Sequence, residues 1–528
     1  MRFPKIRLPK PALRLAVALA AVLAPAPLVA ASDALADDRP SLTIAMPNIN
    51  RGSYGAYDAS NYASRIVHNL YDNVIKRDWL SKPDGTGTDL VPGLAVSWTR
   101  TAPTLWEIKI RHGVKFHDGS EMTAEDVAFT LSPERRKIRP FGLGEPIIRA
   151  EAVDADTVVV ETDGPDAAFE HRLATRIGKV VPKAVYTKLG HPAFAADPIG
   201  TGPYYIAEKS EDTIVLKAFD AYWGGRPPLS TITYKAVPEI SARIAGLITG
   251  EFDIVTSIPP QQAELVDRED GFHTQASLLE NVQLIMFTTD KRKDPATAQT
   301  TNKLIRQAIV HATDRALIAK RLWNGLTYVP EGFSFPEYGQ YHVPQNPRPY
   351  DVAKARDLLK QAGYDGSPIK LAMVGGYYVN MDQAVQVMQQ MWTEAGLNVE
   401  LSIQENWAQM NPRTQWDAFP ISANFNFPDP AAPMWAYWGA EQGPHRRQQM
   451  WAPPQRFLDL GKVLESSLVP EERKAAFAEM VEIWEEEVPA MLLYRPVEIY
   501  GVRDDLKWQN YGMYWMDFRD YNVSFPGH

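Results

Sequence analysis

Cysteine is absent from the 528-residue chain. Its absence excludes a disulfide scaffold, a zinc ribbon, an iron–sulfur site, a cysteine nucleophile and a lipid-modified N-terminal cysteine. Long apolar runs are scarce: Leu15 to Leu23 is too short to span a bilayer comfortably, and no later segment reaches the ~18 consecutive apolar residues of a membrane helix. Basic residues are not in excess, since the chain contains 55 lysine and arginine residues and 64 aspartate and glutamate residues. We therefore expect no nucleic-acid partner.

The N-terminus has the pattern of an export signal. Small residues at Ala34–Ala36 precede Asp37, and the apolar run follows five basic residues, which are Arg2, Lys5, Arg7, Lys10 and Arg14. A basic region, an apolar run and small residues in this order are typical of a cleavable signal peptide. We predict that residues 1–36 are removed, with Ala31 as an alternative cleavage point, and that the mature protein is periplasmic.

Strand and helix patterns alternate along the rest of the chain. Leu105–Ile110 alternates apolar and polar residues, as a half-buried strand does. Thr123, Asp314 and Asp351 stand where helices would begin, and Gly363 follows the last of these helices. The repeated order of helix, glycine and strand predicts an α/β fold with partly parallel sheets.

Motifs of known enzyme classes are missing. The sequence contains no G-x-S-x-G elbow, H-E-x-x-H pair, Walker A sequence or EF-hand loop. Gly200–Tyr204 is glycine-rich but lacks the third glycine of a dinucleotide fingerprint, so a tight turn is the better interpretation. His112 and His117 are more simply two partly exposed histidines than metal ligands. We therefore expect no catalytic residues, no metal and no cofactor.

Aromatic residues are dense in the third quarter of the chain and beyond. They stand among prolines, glycines and asparagines, which favour loops, and they include Tyr377, Tyr378, Trp407, Phe427 and Trp435. Aromatic residues usually fill the core, and some of these must do so. Aromatic faces and amide groups on loops also form sites for polar organic ligands, and we favour that interpretation for this cluster.

A series of motifs along the chain resembles a known family. One long and specific block contains LVPGLA at 90–95, RHGVKFHDG at 111–119 and TAEDV at 123–127. Shorter matches follow in order, at 200–204, 250–254, 305–315, 353–364 and 428–430. Nearly the whole mature chain is thereby similar to the extracellular solute-binding proteins of family 5, the dipeptide- and oligopeptide-type receptors of ABC importers.

The resemblance implies a hinged, two-lobed fold of the type II periplasmic-binding-protein kind, with an extra α+β domain inserted in the first lobe. Lobe I would combine residues 37–73, 196–280 and 495–528. The inserted domain would cover residues 74–195, and lobe II residues 281–494. Two crossings between the lobes, near Asn281–Thr288 and Leu492–Val497, would form the hinge.

The resemblance also implies a function. The protein would capture a small polar organic ligand between its lobes and deliver it to ABC permease subunits at the inner membrane, as a monomer without enzymatic activity. The candidate ligand-binding residues are Tyr54, Tyr377, Tyr378, Trp407, Asn424, Asn426, Phe427, Asp429 and Trp435. The alternative is a secreted enzyme that hydrolyses glycans or peptides, which would need two carboxylates facing each other at about 5–10 Å.

Two departures from dipeptide-type members bear on the ligand. Those members hold the ligand's amino group with an aspartate, and Asn426 stands at that position here. They hold its carboxylate with an arginine in a loop that here is Val374–Tyr378 and contains no arginine. A buried ammonium facing a neutral amide loses a charge-assisted hydrogen bond. Simple dipeptides are therefore doubtful, and a longer peptide, an opine or a sugar-type ligand stays open.

Overall fold

The structure is a computed structural model that describes residues 37–49, 54–57, 60–138, 146–290, 298–441 and 443–526. The predicted signal peptide over residues 1–36 lies outside the described residues. Within the described ranges, no helix combines the length and the apolar character that crossing a membrane requires. The chain from Arg39 onward forms one unit, to which the following description applies.

Strands occur along the whole described chain. They are β1 (Ser41–Met46), β2 (Ile75–Asp78), β3 (Asp89–Pro92), β4 (Ala95–Ala102), β5 (Leu105–Ile110), β6 (Ile147–Ala152), β7 (Thr157–Thr162), β8 (Tyr204–Lys209), β9 (Thr213–Ala218), β10 (Thr231–Ala236), β11 (Ile254–Val255), β12 (Phe272–Leu278), β13 (Asn281–Phe287), β14 (Ile369–Val374), β15 (Val399–Gln404), β16 (Ala418–Asn424), β17 (Ala490–Tyr494), β18 (Val497–Arg503), β19 (Lys507–Trp508) and β20 (Val523–Ser524).

Helices alternate with these strands. They are α1 (Ala63–Leu70), α2 (Ala124–Leu131), α3 (Pro133–Ile138), α4 (Phe169–Leu173), α5 (Lys183–Leu189), α6 (His191–Ala196), α7 (Ile240–Ile248), α8 (Pro260–Asp267), α9 (Lys303–His311), α10 (Arg315–Trp323), α11 (Val352–Gln361), α12 (Met381–Glu394), α13 (Pro444–Arg447), α14 (Gln455–Ser466) and α15 (Pro470–Glu487). Short 3₁₀ turns occur at Trp79–Ser81, Arg176–Gly178, Gln299–Thr301, Pro336–Tyr341 and Arg413–Gln415, and a π-helical stretch at Ala431–Gly439.

The largest sheet has seven strands in the order β12-β18-β11-β1-β10-β9-β8. Strand β1 pairs in parallel with both β10 and β11, whereas β18 is antiparallel to its neighbours β11 and β12. Three separate stretches of the sequence supply these strands: β1, then β8 to β12, and finally β18. The sheet can therefore form only when the two ends of the chain meet its middle.

A second sheet has five strands in the order β15-β14-β16-β13-β17. Strand β14 runs parallel to β15 and β16, and β13 is antiparallel to β16 and β17. Helix α12 returns the chain from β14 to β15. It packs its buried residues Met381, Val385, Met388 and Trp392 into the apolar core. This is the helix-to-strand alternation that the sequence predicted.

A third, four-stranded sheet is antiparallel, in the order β4-β5-β7-β6. Helix α2 packs against it and begins as predicted at Thr123, whose hydroxyl accepts a hydrogen bond from the Asp126 amide while the Asp126 carboxylate accepts one from the Thr123 amide. The predicted caps Asp314 and Asp351 are also confirmed, because each carboxylate accepts a hydrogen bond at 2.9 Å from an amide three residues later. Local side-chain hydrogen bonds thus begin these helices.

The chain crosses twice between the two larger sheets. The first crossing is Leu279–Glu280, between β12 and β13, and the second is Arg495–Pro496, between β17 and β18. Residues 281–287, where the first crossing was expected, form β13, and all seven of them are buried. Arg495 joins the crossings, since its Nε and Nη2 donate to the Leu279 carbonyl at 3.0 and 2.6 Å.

Candidate functional site

A cavity opens beside the two crossings, and we call it the Arg65 pocket. Its volume is about 20 Å³, and it is lined by residues from both larger sheets and their loops, including Arg65, Ser257, Gln283, Tyr377, Tyr378 and Glu498. A cavity between two sheets that are joined by two short crossings is positioned to change shape if the sheets move relative to each other.

The Arg65 guanidinium and the Glu498 carboxylate form one wall of this pocket. They meet at 2.6 Å, with only 1% and 3% of their side chains exposed. Burial opposes the charge of Arg65, but the neighbouring Glu498 carboxylate raises the pKa of the guanidinium. Ser257 donates to Glu498 through its amide at 2.9 Å and its hydroxyl at 3.0 Å. The wall is therefore a buried, hydrogen-bonded pair of oppositely charged side chains.

Tyrosines form the opposite wall of the Arg65 pocket. The rings of Tyr377 and Tyr378 pack edge to face at 4.7 Å, and Trp407 packs behind them at 5.3 Å from Tyr377. Tyr62 joins the two walls, because its ring meets Tyr377 at 6.2 Å and its hydroxyl donates to the Tyr377 carbonyl at 3.5 Å. Burial raises the pKa of the Tyr62, Tyr377 and Tyr378 hydroxyls, which are therefore neutral at physiological pH.

A second cavity, which we call the Lys179 pocket, has a volume of about 40 Å³. It shares Asn61 and Tyr514 with the Arg65 pocket, so the two cavities are neighbours. The predicted residues Asn424 and Asn426 line it together with Lys179. Asn426 has a positive φ of 60°, in a region that asparagine tolerates better than most residues.

Polar side chains from two paired strands lie beside the pockets. Asn281 is opposite Asn424 and Gln283 is opposite Ser422 in the antiparallel register, so all four side chains share one face of the sheet. Asn281 is 1% exposed, and neither its amide nitrogen nor its amide oxygen has a hydrogen-bond partner among the described residues. The same holds for the Gln283 side-chain oxygen. Buried polar atoms usually have partners, so these remain available to a bound molecule.

Trp407 lines neither pocket, and the other four candidates also lie outside both; each of the four has structural contacts of its own. Tyr54 is fully buried in the core beside the seven-stranded sheet. The Phe427 ring lies parallel to His171 at 6.3 Å. Asp429 accepts from Arg473 at 2.7 Å.

Trp435, the fourth of these candidates, is held tightly within the protein. Its side chain is 5% exposed, and its indole nitrogen donates to Glu465 at 2.7 Å. Helix α14 approaches it so closely that a Cβ on Gly461 would lie 1.9 Å from the ring. These contacts describe packing, and a ligand role for Trp435 stays a prediction.

The charged residues of the pockets were not predicted from the sequence. Arg65, Lys179 and Glu498 stand in unremarkable local sequence, and Arg65 and Glu498 are more than four hundred residues apart. The aromatic segment 511–518 was a usable signal, because Tyr514 lines both pockets and Trp515 lines the second. Among the described residues, no group of three or more histidine, aspartate or glutamate side chains is arranged to hold a metal ion.

Two α/β sheets joined by paired crossings, with polar cavities between them, define the class of two-lobed binding proteins. The family model described as bacterial extracellular solute-binding proteins, family 5 Middle, matches residues 89–444. The chain therefore belongs to this family of solute-binding proteins. Its members are periplasmic binding proteins rather than enzymes, and they bind small ligands or peptides and work with ABC permeases. The comparisons give no support to a secreted hydrolase.

Individual relatives agree with this assignment. The glutathione-binding protein GsiB of Pectobacterium atrosepticum is 30% identical over 359 residues, which are 66% of this chain and 66% of that protein. GsiB of Escherichia coli K12 is 26% identical over 403 residues, covering 70% of this chain and 76% of the relative. The alignments thus span about two thirds to three quarters of these relatives.

Solved structures show the same fold. The ABC transporter-associated periplasmic binding protein DppA from Helicobacter pylori, in complex with peptide STSA, superposes with a TM-score of 0.80 at 22% identity, covering 92% of this chain and 98% of that one. The binding protein AgaA of A. tumefaciens R10, in complex with agropinic acid, gives 0.80 at 20% identity over 92% and 99%. The predicted type II periplasmic-binding-protein fold is confirmed.

Proposed function

We propose that this chain is the solute-capturing component of an ABC importer, which binds a small polar organic ligand in the two pockets and hands it to permease subunits at the inner membrane. The observation that carries the proposal is the pair of adjoining polar cavities beside the crossings. A ligand that contacts both sheets at once stabilises the arrangement in which the sheets are close, and so shifts the protein toward its closed form.

The proposed lobes follow the sheets. Lobe I comprises residues 37–73, 196–280 and 495–528 around the seven-stranded sheet, and lobe II comprises residues 281–494 around the five-stranded sheet. The inserted domain, residues 74–195, contains the four-stranded sheet. The two crossings, held together by Arg495, act as the hinge.

The ligand that we propose is a peptide, an opine or a related small polar molecule. Relatives that bind glutathione, a tetrapeptide and agropinic acid support this range. Tyr377, Tyr378, Asn424 and Asn426 would contact it directly, and Trp407 would support the tyrosine wall. We propose further that the protein is exported through a signal peptide over residues 1–36, acts in the periplasm as a monomer and performs no reaction on its ligand.

The proposal is tested by adding a library of peptides, glutathione, opines and oligosaccharides to purified residues 37–528. We expect at least one compound to raise the Tm and to change the tryptophan fluorescence, because it contacts the aromatic walls. Tyr378→Ala should weaken that binding, whereas Tyr521→Ala should not, since Tyr521 is half exposed and lies outside both pockets. Steady conversion of the bound compound into product would refute the proposal, and so would equal effects of the two substitutions.

A further inference from the structure

Lys179 is a deeply buried cation without an anionic partner. Its side chain lines the Lys179 pocket and the residue is 2% exposed. Among the described residues, its ammonium group makes no hydrogen bond or ion pair, and its one aromatic contact is the Trp515 ring at 5.5 Å. Burying an unpaired ammonium is unfavourable by several kcal/mol, so proteins rarely keep one without a use for it.

The surroundings of Lys179 are positive. Arg176 lines the same pocket, and none of the residues that line this pocket carries a carboxylate. Burial, together with the charges of Arg176 and Arg519, lowers the pKa of Lys179 to about 7. His68 is also nearby, but burial lowers its pKa to about 4 and it is neutral. Arg519 is itself paired with Asp72 and Asp517 at 2.8 Å, so Lys179 is the cation on the pocket wall that an entering anion could neutralise directly.

Neutral hydrogen-bonding groups complete the pocket. The amides of Asn61, Asn424 and Asn426 line it. A ligand that carries amide groups as well as an acid would satisfy these atoms, whereas a simple inorganic anion would not.

We propose that the Lys179 pocket holds the carboxylate of the bound solute on the Lys179 ammonium, and that the solute is therefore an organic acid with amide groups, such as a peptide with a free C-terminus. This inference rests on the proposed function and narrows its ligand class. The Trp515 face limits the movement of the ammonium, and the asparagine amides bind the groups next to the carboxylate. Neutral oligosaccharides are disfavoured as ligands, since they offer the Lys179 ammonium no anionic partner.

The test compares Lys179→Met with wild-type protein and with Lys76→Met. Lys76 is a matched control because its ammonium also lies over an aromatic ring, at 4.7 Å from the centre of Tyr521, but lines neither pocket. Titration calorimetry measures the binding of glutathione and of peptides with two to four residues, each as the free acid and as the C-terminal amide. Acetate, with chloride at equal ionic strength as the control, is measured by its effect on Tm.

We expect free acids to bind at least ~30-fold more tightly than their amides, and Lys179→Met to lose about the same factor, as for a charge-assisted hydrogen bond. Lys76→Met should bind like wild type. The Tm of ligand-free Lys179→Met should be equal to or above that of wild type, because an unpaired buried charge has been removed. A purely structural lysine would instead lower that Tm and leave the acid-to-amide ratio unchanged, and this result would overturn the proposal.

Failure of the proposed function gives a different pattern. If none of the peptides binds in either form, the peptide-like ligand class is wrong, and acetate alone decides the role of Lys179. Stabilisation of wild type by acetate, absent in Lys179→Met, would still support an anion site. Equal acetate effects on the two proteins would refute it. Tight binding of a neutral sugar that is insensitive to Lys179→Met would refute the anchor while keeping the solute-binding function.

Discussion

The buried pair of Arg65 and Glu498 allows a direct test of whether the two charges in the wall of the Arg65 pocket depend on each other for stability. Their side chains are 1% and 3% exposed and meet at 2.6 Å. Glu498→Gln keeps the shape and an acceptor oxygen for Ser257, but it removes the negative charge. Breaking a buried pair by removing one partner costs about 3–5 kcal/mol, because the other charge stays buried without compensation. We expect Glu498→Gln to lower the free energy of unfolding by at least ~3 kcal/mol.

Urea unfolding, followed by both far-UV circular dichroism and tryptophan fluorescence, measures this loss. Glu264→Gln is the matched control, because the Arg268–Glu264 pair has the same chemistry with 66% and 72% of its side chains exposed. An exposed pair contributes about 0–1 kcal/mol, so this control should unfold nearly as wild type does. A double variant, Arg65→Met with Glu498→Met, should be more stable than Glu498→Gln, since it leaves no charge behind.

Two results would refute this reasoning about the Arg65 pocket. If Glu498→Gln and Glu264→Gln unfold at the same urea concentration, the Arg65 guanidinium is hydrated in solution and the pocket wall is not dry. If the double variant is less stable than Glu498→Gln, the pair contributes net stability that apolar side chains cannot replace. Either outcome would contradict the view that Arg65 and Glu498 form a buried ion pair whose charges compensate each other.

Four further substitutions test separate parts of the structure. Glu465 on α14 forms an ion pair at 3.0 Å with Arg172 on α4, and Glu465→Gln removes its charge. If this contact favours the closed cleft, the ligand affinity measured by calorimetry should fall about fivefold. An unchanged affinity would contradict this role. Burial raises the pKa of Glu485 to about 7, so its favourable contribution is present at low pH and is lost as the pH rises through about 7. Glu485→Gln should therefore raise the Tm at pH 8 but not at pH 5, and an equal effect at both values would refute the assignment. Trp435→Ala should lower the Tm, because the ring is 5% exposed. Asn426→Gly, which preserves the positive φ, should lower the affinity for the ligand and leave the Tm unchanged. If Trp435→Ala instead lowers only the affinity and Asn426→Gly lowers only the Tm, Trp435 is the ligand contact and Asn426 is the structural residue.

Local features of the fold could be predicted from the sequence because they depend on neighbouring residues. Thr123, Asp314 and Asp351 begin helices through hydrogen bonds that span three residues. Leu105–Ile110 forms a strand because its alternating pattern suits one buried face. The order of strands in the seven-stranded sheet could not be derived in this way, since it pairs segments from both ends of the chain.

The site was predictable where residue type alone carries the signal. Tyr377 and Tyr378 line the Arg65 pocket, as we expected of aromatic residues in a loop that contains glycine. The same signal selected Trp435, which the structure places in a tightly packed π-helical stretch at 5% exposure, and its ligand role stays a prediction. Lys179 and Arg65 could not be found, since their importance depends on burial and on partners that are present or missing, and neither is visible locally.

One of the two sequence arguments against dipeptides was that the loop Val374–Tyr378 lacks an arginine. The structure extends that argument, because the Gly376 amide in this loop donates to both carboxylate oxygens of Asp382 at 3.1 Å. A carboxylate at this position repels the acidic end of a ligand. Lys179, whose ammonium has no ion-pair partner among the described residues, lies elsewhere, on a segment between the four-stranded sheet and α5. On the proposed anchor, the acid of the ligand therefore points away from the Tyr377 loop. The missing arginine excludes one orientation of the ligand, and it does not exclude an acidic ligand.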